Sequence, residues 1–178
     1  MLYVYIKKEK IGKINVGETM YYLNYFFIFS IFGYLYETIL YKIKHVKRNS
    51  GFLYGPWAPI YGLGALIIVT LTNTLKIKRM HQVISFMIIV FFLFTLIEYI
   101  GGKILKFLFH KDYWDYTKHK YNIGKYISLD VSIIWVVESL IFLYLKKYID
   151  VFIVMIPSIV TVTILFVFIF DFLYTLIK

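Results

Sequence analysis

Five acidic side chains fall inside runs that are otherwise apolar: Glu37, Glu98, Asp130, Glu138 and Asp171. A central Asp costs roughly 2.5–3.5 kcal/mol on insertion scales, so five cost on the order of 10 kcal/mol unless paired, protonated or near an interface. Asp130 and Asp171 lie near the ends of their runs and read as interfacial and solvated. Glu138 lies deeper, with no companion polar residue evident on its face. Glu37 and Glu98 differ. Ser30, Gly33 and Glu37 recur at helical-turn spacing and share a face, and Glu98 is followed by Gly101 and Gly102 on its own face. Small residues beside a carboxylate let another backbone come close and donate hydrogen bonds. The two acids read as bundle glue, as part of a substrate or ion path, or as proton-transfer groups.

Two further stretches concentrate unusual residues. "SGFLYGPWAPIYGLGAL" (Ser50–Leu66) holds two of the three prolines and four of the ten glycines. Gly51, Gly55, Gly62 and Gly64 permit unusual dihedrals or close approach, and Pro56 and Pro59 remove backbone donors. Non-helical backbone at membrane depth survives only inside protein or along a wet cavity. Ser50–Gly64 therefore reads either as a partly re-entrant loop or as a Pro-started interfacial helix with Tyr54, Trp57 and Tyr61 in the aromatic belt. In the re-entrant reading its N–H groups are expected to approach Glu37 and Glu98. "HKDYWDYTKHKYNIG" (His110–Gly124) spaces His110, Asp112, Asp115 and His119 like metal ligands, but a polar, lysine-dense loop makes chance the better account. No metal or other cofactor is expected. Tyr113, Trp114 and Tyr116 read as interfacial anchors or as a stacking platform.

The elements that must position these groups follow from composition. The 178 residues are 61% hydrophobic and 21% aromatic, with a mean hydropathy of +0.73. Soluble domains run at roughly 45–50% apolar. Apolar runs of about 20 residues recur along the chain, so the expected fold class is all-α: a single polytopic transmembrane bundle over 21–178 behind a basic arm at 1–20. Five spans are expected at about 21–41, 57–75, 83–109, 126–145 and 151–177. Lys146–Asp150 turns the chain, and Pro157 kinks the fifth span or marks a late helix start.

The +10 charge sits almost entirely in short connectors such as Lys42–Arg48 and Lys76–Arg79, which anchors helix ends to headgroups rather than pointing to nucleic acid. Nine Lys and Arg on one side against eleven on the other leave orientation open. The basic start is not followed by a small-x-small cleavage site and reads as leading into a retained first span. There is no cysteine, which excludes disulfides and thiolate chemistry. Abundant Lys, Ile, Tyr and Phe with alanine only at Ala58 and Ala65 fit a bacterial, AT-rich coding bias. No GxxxxGK[ST], GxSxG or HExxH occurs, so neither P-loop ATP binding nor familiar hydrolase chemistry is supported.

In order along the chain stand "SIFGYLYET" (Ser30–Thr38), "NSGFLYGPWAPIYGLGAL" (Asn49–Leu66), "IEYIGG" (Ile97–Gly102), "YWDY" (Tyr113–Tyr116) and "ISLDVSIIW" (Ile127–Trp135). Together, over roughly Tyr22 to Leu145, they resemble the ABC-transporter type IV family of small bacterial membrane proteins. The resemblance implies a permease-like subunit in the bacterial cytoplasmic membrane, relying on a separate ATPase subunit, with a homo-oligomer as a further option. Its substrate-path or structural-polar candidates are Glu37, Glu98, Asn49, Gly51, Gly55, Pro56, Pro59, Tyr61, Gly62, Trp114, Asp115, Tyr116 and Asn122. Two other classes stand beside it. One is a membrane enzyme acting on a lipid or isoprenoid headgroup, with Glu37, Glu98 and Asp115 as acid/base groups. The other is a non-catalytic regulator or assembly factor.

Overall fold

The computed structural model describes residues 16–45 and 51–178. Five helices dominate, and the all-α expectation holds: α1 Val16–Ile43, α2 Pro59–Leu75, α3 Met80–Phe109, α4 Leu129–Val154 and α5 Ser158–Ile177. A two-stranded antiparallel hairpin, β1 Asn122–Ile123 and β2 Ile127–Ser128, sits between α3 and α4. It turns at Gly124, whose φ of 69° suits a residue without a Cβ. The hairpin takes up residues 126–128, so the fourth helix starts at Leu129 and not at Tyr126. The first helix starts at Val16, inside the stretch read as a basic arm.

Helices α1, α3 and α5 are each long and apolar enough to cross a membrane. The 17 residues of α2 rise about 25 Å, short of a hydrocarbon core of roughly 30 Å. The 26 residues of α4 carry Asp130, Glu138, Lys146, Lys147 and Asp150. Outward faces are apolar, as with Phe107, Phe166 and Phe170, which suits lipid and not water.

The turn expected at Lys146–Asp150 is helical. These charges stay in α4 because Lys146 Nζ pairs with Asp150 at 2.7 Å, one turn on. Tyr21 and Tyr25 of α1 also donate to Asp150 Oδ1, at 2.6 and 2.5 Å. The chain turns at Met155–Pro157 instead, and Pro157 marks a helix start. Proline has no N–H for the Ile153 carbonyl one turn back. Asn24 Nδ2 donates to that carbonyl at 3.2 Å, and Thr161 donates to Asn24 Oδ1 at 2.5 Å. One asparagine thus ties the α4–α5 corner to α1.

The main core gathers Tyr25, Val69, Phe86, Val90 and Ile153 around the contacts of α1–α4. A second cluster joins Phe27, Leu53 and Trp57 to Phe168 of α5. The segment 51–58 is non-helical and descends beside α1, where Ala58 N donates to the Ser30 carbonyl at 2.9 Å. Ser30 lies thirteen residues before the end of α1, about 20 Å along its axis. Pro59 then opens α2, where its fixed φ and missing N–H cost nothing.

Candidate functional site

The helix directions bring the C-terminal half of α1, the start of α2, the C-terminal half of α3 and the start of α4 to one end of the bundle, where the polar groups converge. The α1–α2 crossing comes first. Gly62 lies so close to α1 that an added Cβ would meet Ser30 Oγ and the Phe26 carbonyl; at Gly33 it would meet the Tyr61 ring. That approach delivers the Tyr61 hydroxyl to Glu37 Oε1 at 3.3 Å. Tyr61 also rests on Trp135 of α4, with ring centroids 5.0 Å apart, and on Tyr36, 6.3 Å away. Tyr36 and Glu138 line the same end of one cavity, and the Tyr36 hydroxyl lies close enough to Glu138 to feel its charge. Glu138 therefore has a polar companion, contrary to expectation: it comes from α1, a helix no reading of α4's own face could reveal.

Glu98 is the most enclosed acid, 3% exposed. Its Oε1 accepts from the Tyr116 hydroxyl at 2.9 Å and from Trp135 Nε1–H at 3.1 Å. Oε2 is buried with no partner among the described residues. A cavity of about 10 Å³, lined by Ile60, Gly64, Phe94, Ile97 and Trp135, lies beside it, about the room one water occupies. Gly101 and Gly102 admit aromatic rings and not another backbone: Trp114 lies over Gly101 and Tyr126 over Gly102.

The expected approach of loop N–H groups to Glu98 is corrected, and so is that to Glu37 for Tyr54 and Gly55; Ser50, the first residue of the expected loop, lies outside the described residues. Tyr54 N and Gly55 N donate instead to Asp171 of α5, at 3.2 and 3.0 Å. Asp171, read as merely solvated, is the acid that holds this loop. The reason is steric. Gly55 faces the Trp57 indole and Asp171, whereas the space around Glu37 and Glu98 is filled by Tyr61, Tyr116 and Trp135. Gly51 adopts φ 76° beneath the Trp57 carbonyl, Pro56 is exposed, and Asn49 lies outside the described residues.

The 110–128 segment caps this end. Asp112 accepts from Lys125 at 2.8 Å, Tyr126 at 2.6 Å and Lys106 at 3.1 Å. Those donors, Lys125 first, hold its carboxyl well below the usual range. Asp115 is exposed and accepts from the Thr117 hydroxyl and N–H, at 2.7 and 2.9 Å, which lowers it too. His119 Nδ1 meets Asp130 at 2.8 Å, and Ser128 also bonds Asp130. Asn122 Nδ2 donates to the Gly124 carbonyl across the hairpin turn. Among the described residues no three histidines or acids gather as a metal set. The local partners account for Asp112, Asp115 and His119. Of the thirteen candidates, Glu37, Glu98, Tyr61 and Tyr116 come together around Trp135, with Gly62 setting the approach. Asp115, Asn122 and Pro56 stand apart.

Below this cluster a cavity of about 690 Å³ opens between α1 and α4. Phe29 and Phe32 wall it on one side, and Ile141, Phe142 and Phe152 on the other. Tyr36, Tyr61, Trp135 and Glu138 line one end. Phe32, Ile141 and Phe152 are more than half exposed, so the cavity is a groove open sideways. Sequence reasoning gave Trp135 and Tyr36 no role and read Asp171 as solvated; the resemblance motifs Ser30–Thr38 and Ile127–Trp135, which contain Tyr36 and Trp135, were the signals that pointed to the first two.

No curated protein and no solved structure matches this chain. The family described as "Putative ABC-transporter type IV" matches residues 24–176, which takes in α2, α3 and α4 whole and most of α1 and α5. The chain is therefore an apolar, helical membrane protein that belongs to this ABC-transporter-related family.

Proposed function

We propose that the chain is a permease-like subunit of an ABC-type transporter in the bacterial cytoplasmic membrane, energised by a separate ATPase subunit and passing a lipid-like amphiphile. The groove between α1 and α4 carries this reading. Its volume, about 690 Å³, lies within the roughly 300–1,000 Å³ typical of ligand pockets. It is apolar along its length, polar at one end and open sideways, which suits a ligand arriving from the bilayer. In this reading all five helices span the membrane, so the termini lie on opposite faces. Residues 51–58 act as a partly re-entrant entry that lengthens the crossing of the short α2, a reading supported by the depth at which Ala58 meets Ser30 and by the Asp171 clamp on Tyr54 and Gly55.

The test is purification of the tagged chain in mild detergent, followed by identification of what accompanies it and by ATP turnover measurements. A stoichiometric ATPase subunit whose turnover depends on the chain is expected. The chain alone is expected neither to bind nor to hydrolyse ATP. Lipid turnover by the isolated chain, with no ATPase partner, would replace the permease reading with an enzyme.

A further inference from the structure

We infer that the groove is a binding site for an amphiphile with a cationic, ammonium-type headgroup, which lodges against Glu138 beside the rings of Tyr36, Tyr61 and Trp135. The inference rests on the permease reading for its role as a substrate site, but its geometry is independent of any ATPase.

The headgroup follows from the polar end. Glu138 is the one carboxylate in the groove lining. Among the described residues no lysine, arginine or histidine pairs with it. Tyr36 stands beside it in the lining, and a carboxylate has about four acceptor positions. Three aromatic rings line the same end: Tyr61 lies 5.0 Å from Trp135 and 6.3 Å from Tyr36 between centroids, at steep angles. Aromatic faces attract cations, and several rings around one point favour ammonium groups. A carboxylate and three rings complement a positive charge and repel an anion. A neutral head gains little from either.

The tail follows from the dimensions. From Trp135 to Phe152 the groove tracks seventeen residues of α4, about 25 Å. Spread over that length, about 690 Å³ leaves a cross-section of roughly 27 Å². A hydrocarbon chain touches its neighbours at roughly 4–4.5 Å, so an extended chain fits within that section. The rims at Phe32 and Ile141 stay open for entry from the membrane.

The experiment uses the intact chain in nanodiscs of an uncharged galactolipid and an alkyltrimethylammonium carrying a photoreactive diazirine in its tail. Labelled peptides are mapped by mass spectrometry. Competition is measured with three unlabelled amphiphiles of equal tail length: trimethylammonium, sulfate and neutral glucoside. Label is expected on α1 near Phe32 and on α4 between Ile141 and Phe152. The ammonium competitor should displace it at about tenfold lower concentration than the other two, as a charge-assisted contact requires. Glu138→Gln should erase that preference while tail labelling persists. Because the competition series uses the unaltered protein, the inference stands or falls even if the variant misfolds. Equal competition by all three heads overturns it, as does label spread over the outer face of α5, which marks bulk lipid. Cross-links joining α4 of two chains through the groove would also overturn it, making a second copy the occupant. Headgroup-selective labelling without any ATPase partner would sink the permease reading alone. ATPase coupling with headgroup-blind labelling would sink this inference alone.

Discussion

Two glycines in one helix should respond to the same substitution with opposite signs. At Gly62 an added methyl would sit 2.5 Å from the Phe26 carbonyl oxygen and 2.8 Å from Phe26 Cδ2, and would collide with Ser30 Oγ. The carbonyl belongs to α1 and cannot swing aside, so Gly62→Ala must push α1 and α2 apart. Overpacking of this kind costs typically 1–3 kcal/mol. Alanine returns up to about 1 kcal/mol of helix propensity, leaving a net loss of about 1–2 kcal/mol. At Gly64 the methyl would meet Phe94 at 3.4 Å and Trp135 at 4.0 Å, ordinary contact distances. Gly64→Ala should therefore keep the propensity gain, up to about 1 kcal/mol. For a chain of this size 1 kcal/mol moves the midpoint by about 2–4 °C. Thermal unfolding in one detergent, followed by circular dichroism and by aggregation on size exclusion, should separate the two variants by roughly 2–12 °C. Equal midpoints would refute the close α1–α2 crossing, and with it the route by which Tyr61 reaches Glu37.

The loop clamp predicts that Asp171→Asn weakens two charge-assisted bonds to Tyr54 N and Gly55 N, at a cost of about 1.5–3 kcal/mol. Amide exchange at Tyr54 and Gly55 should rise while that of α1 does not. Glu98→Gln keeps an acceptor for Tyr116 and Trp135 and should shift stability by less than about 1 kcal/mol; Glu98→Leu strands both donors, at about 1–3 kcal/mol each. Unfolding midpoints of the two variants check it. Asp112 is held below its ordinary value by Lys125, Tyr126 and Lys106, so its contribution is present above the unfolded carboxylate range, about 3.9, and is lost as pH falls through the folded value. Hydrogen exchange over 110–128 should increase on acidification below about 4, and Asp112→Asn should show that looser loop already at neutral pH. Reporter fusions at the two ends of the chain should land on opposite faces of the membrane; the same face would refute five spans.

How much of this was readable from residues depended on where each group's partner lies in the chain. The helical runs were legible because apolarity over 20 residues is a local property, and Pro157 announced its corner. Lys146–Asp150 misled because a cluster of charges normally marks water. Here its partners are Tyr21 and Tyr25, on a helix more than a hundred positions away, and they make the charges tolerable inside α4. Asp171 misled in the same way, since its donors lie 116 and 117 positions back. The glycines of the 51–64 stretch correctly signalled close approach, but glycine specifies only that something comes near. At Gly33 and Gly102 that something is a tyrosine ring, and only at Gly51 and Gly62 does another segment's backbone come close.

The three glutamates at this end are sorted by what can reach them. Glu37 lies behind the Tyr61 hydroxyl, and Glu98 is sealed under Trp135 and Tyr116 at 3% exposure. Glu138 alone lines the groove, so it is the acid a ligand meets without any helix moving. Trp135 is shared between the two compartments. Its ring walls the groove, and its N–H is one of two donors on Glu98 among the described residues. A ligand that shifts this ring must also lengthen the bond to Glu98, because both functions belong to one rigid indole. The coupling runs both ways, as any linkage must: weakening the Glu98 contact frees the ring and changes affinity in the groove. Trp135→Phe keeps most of the wall and removes the bond, so it separates the two roles that the indole joins.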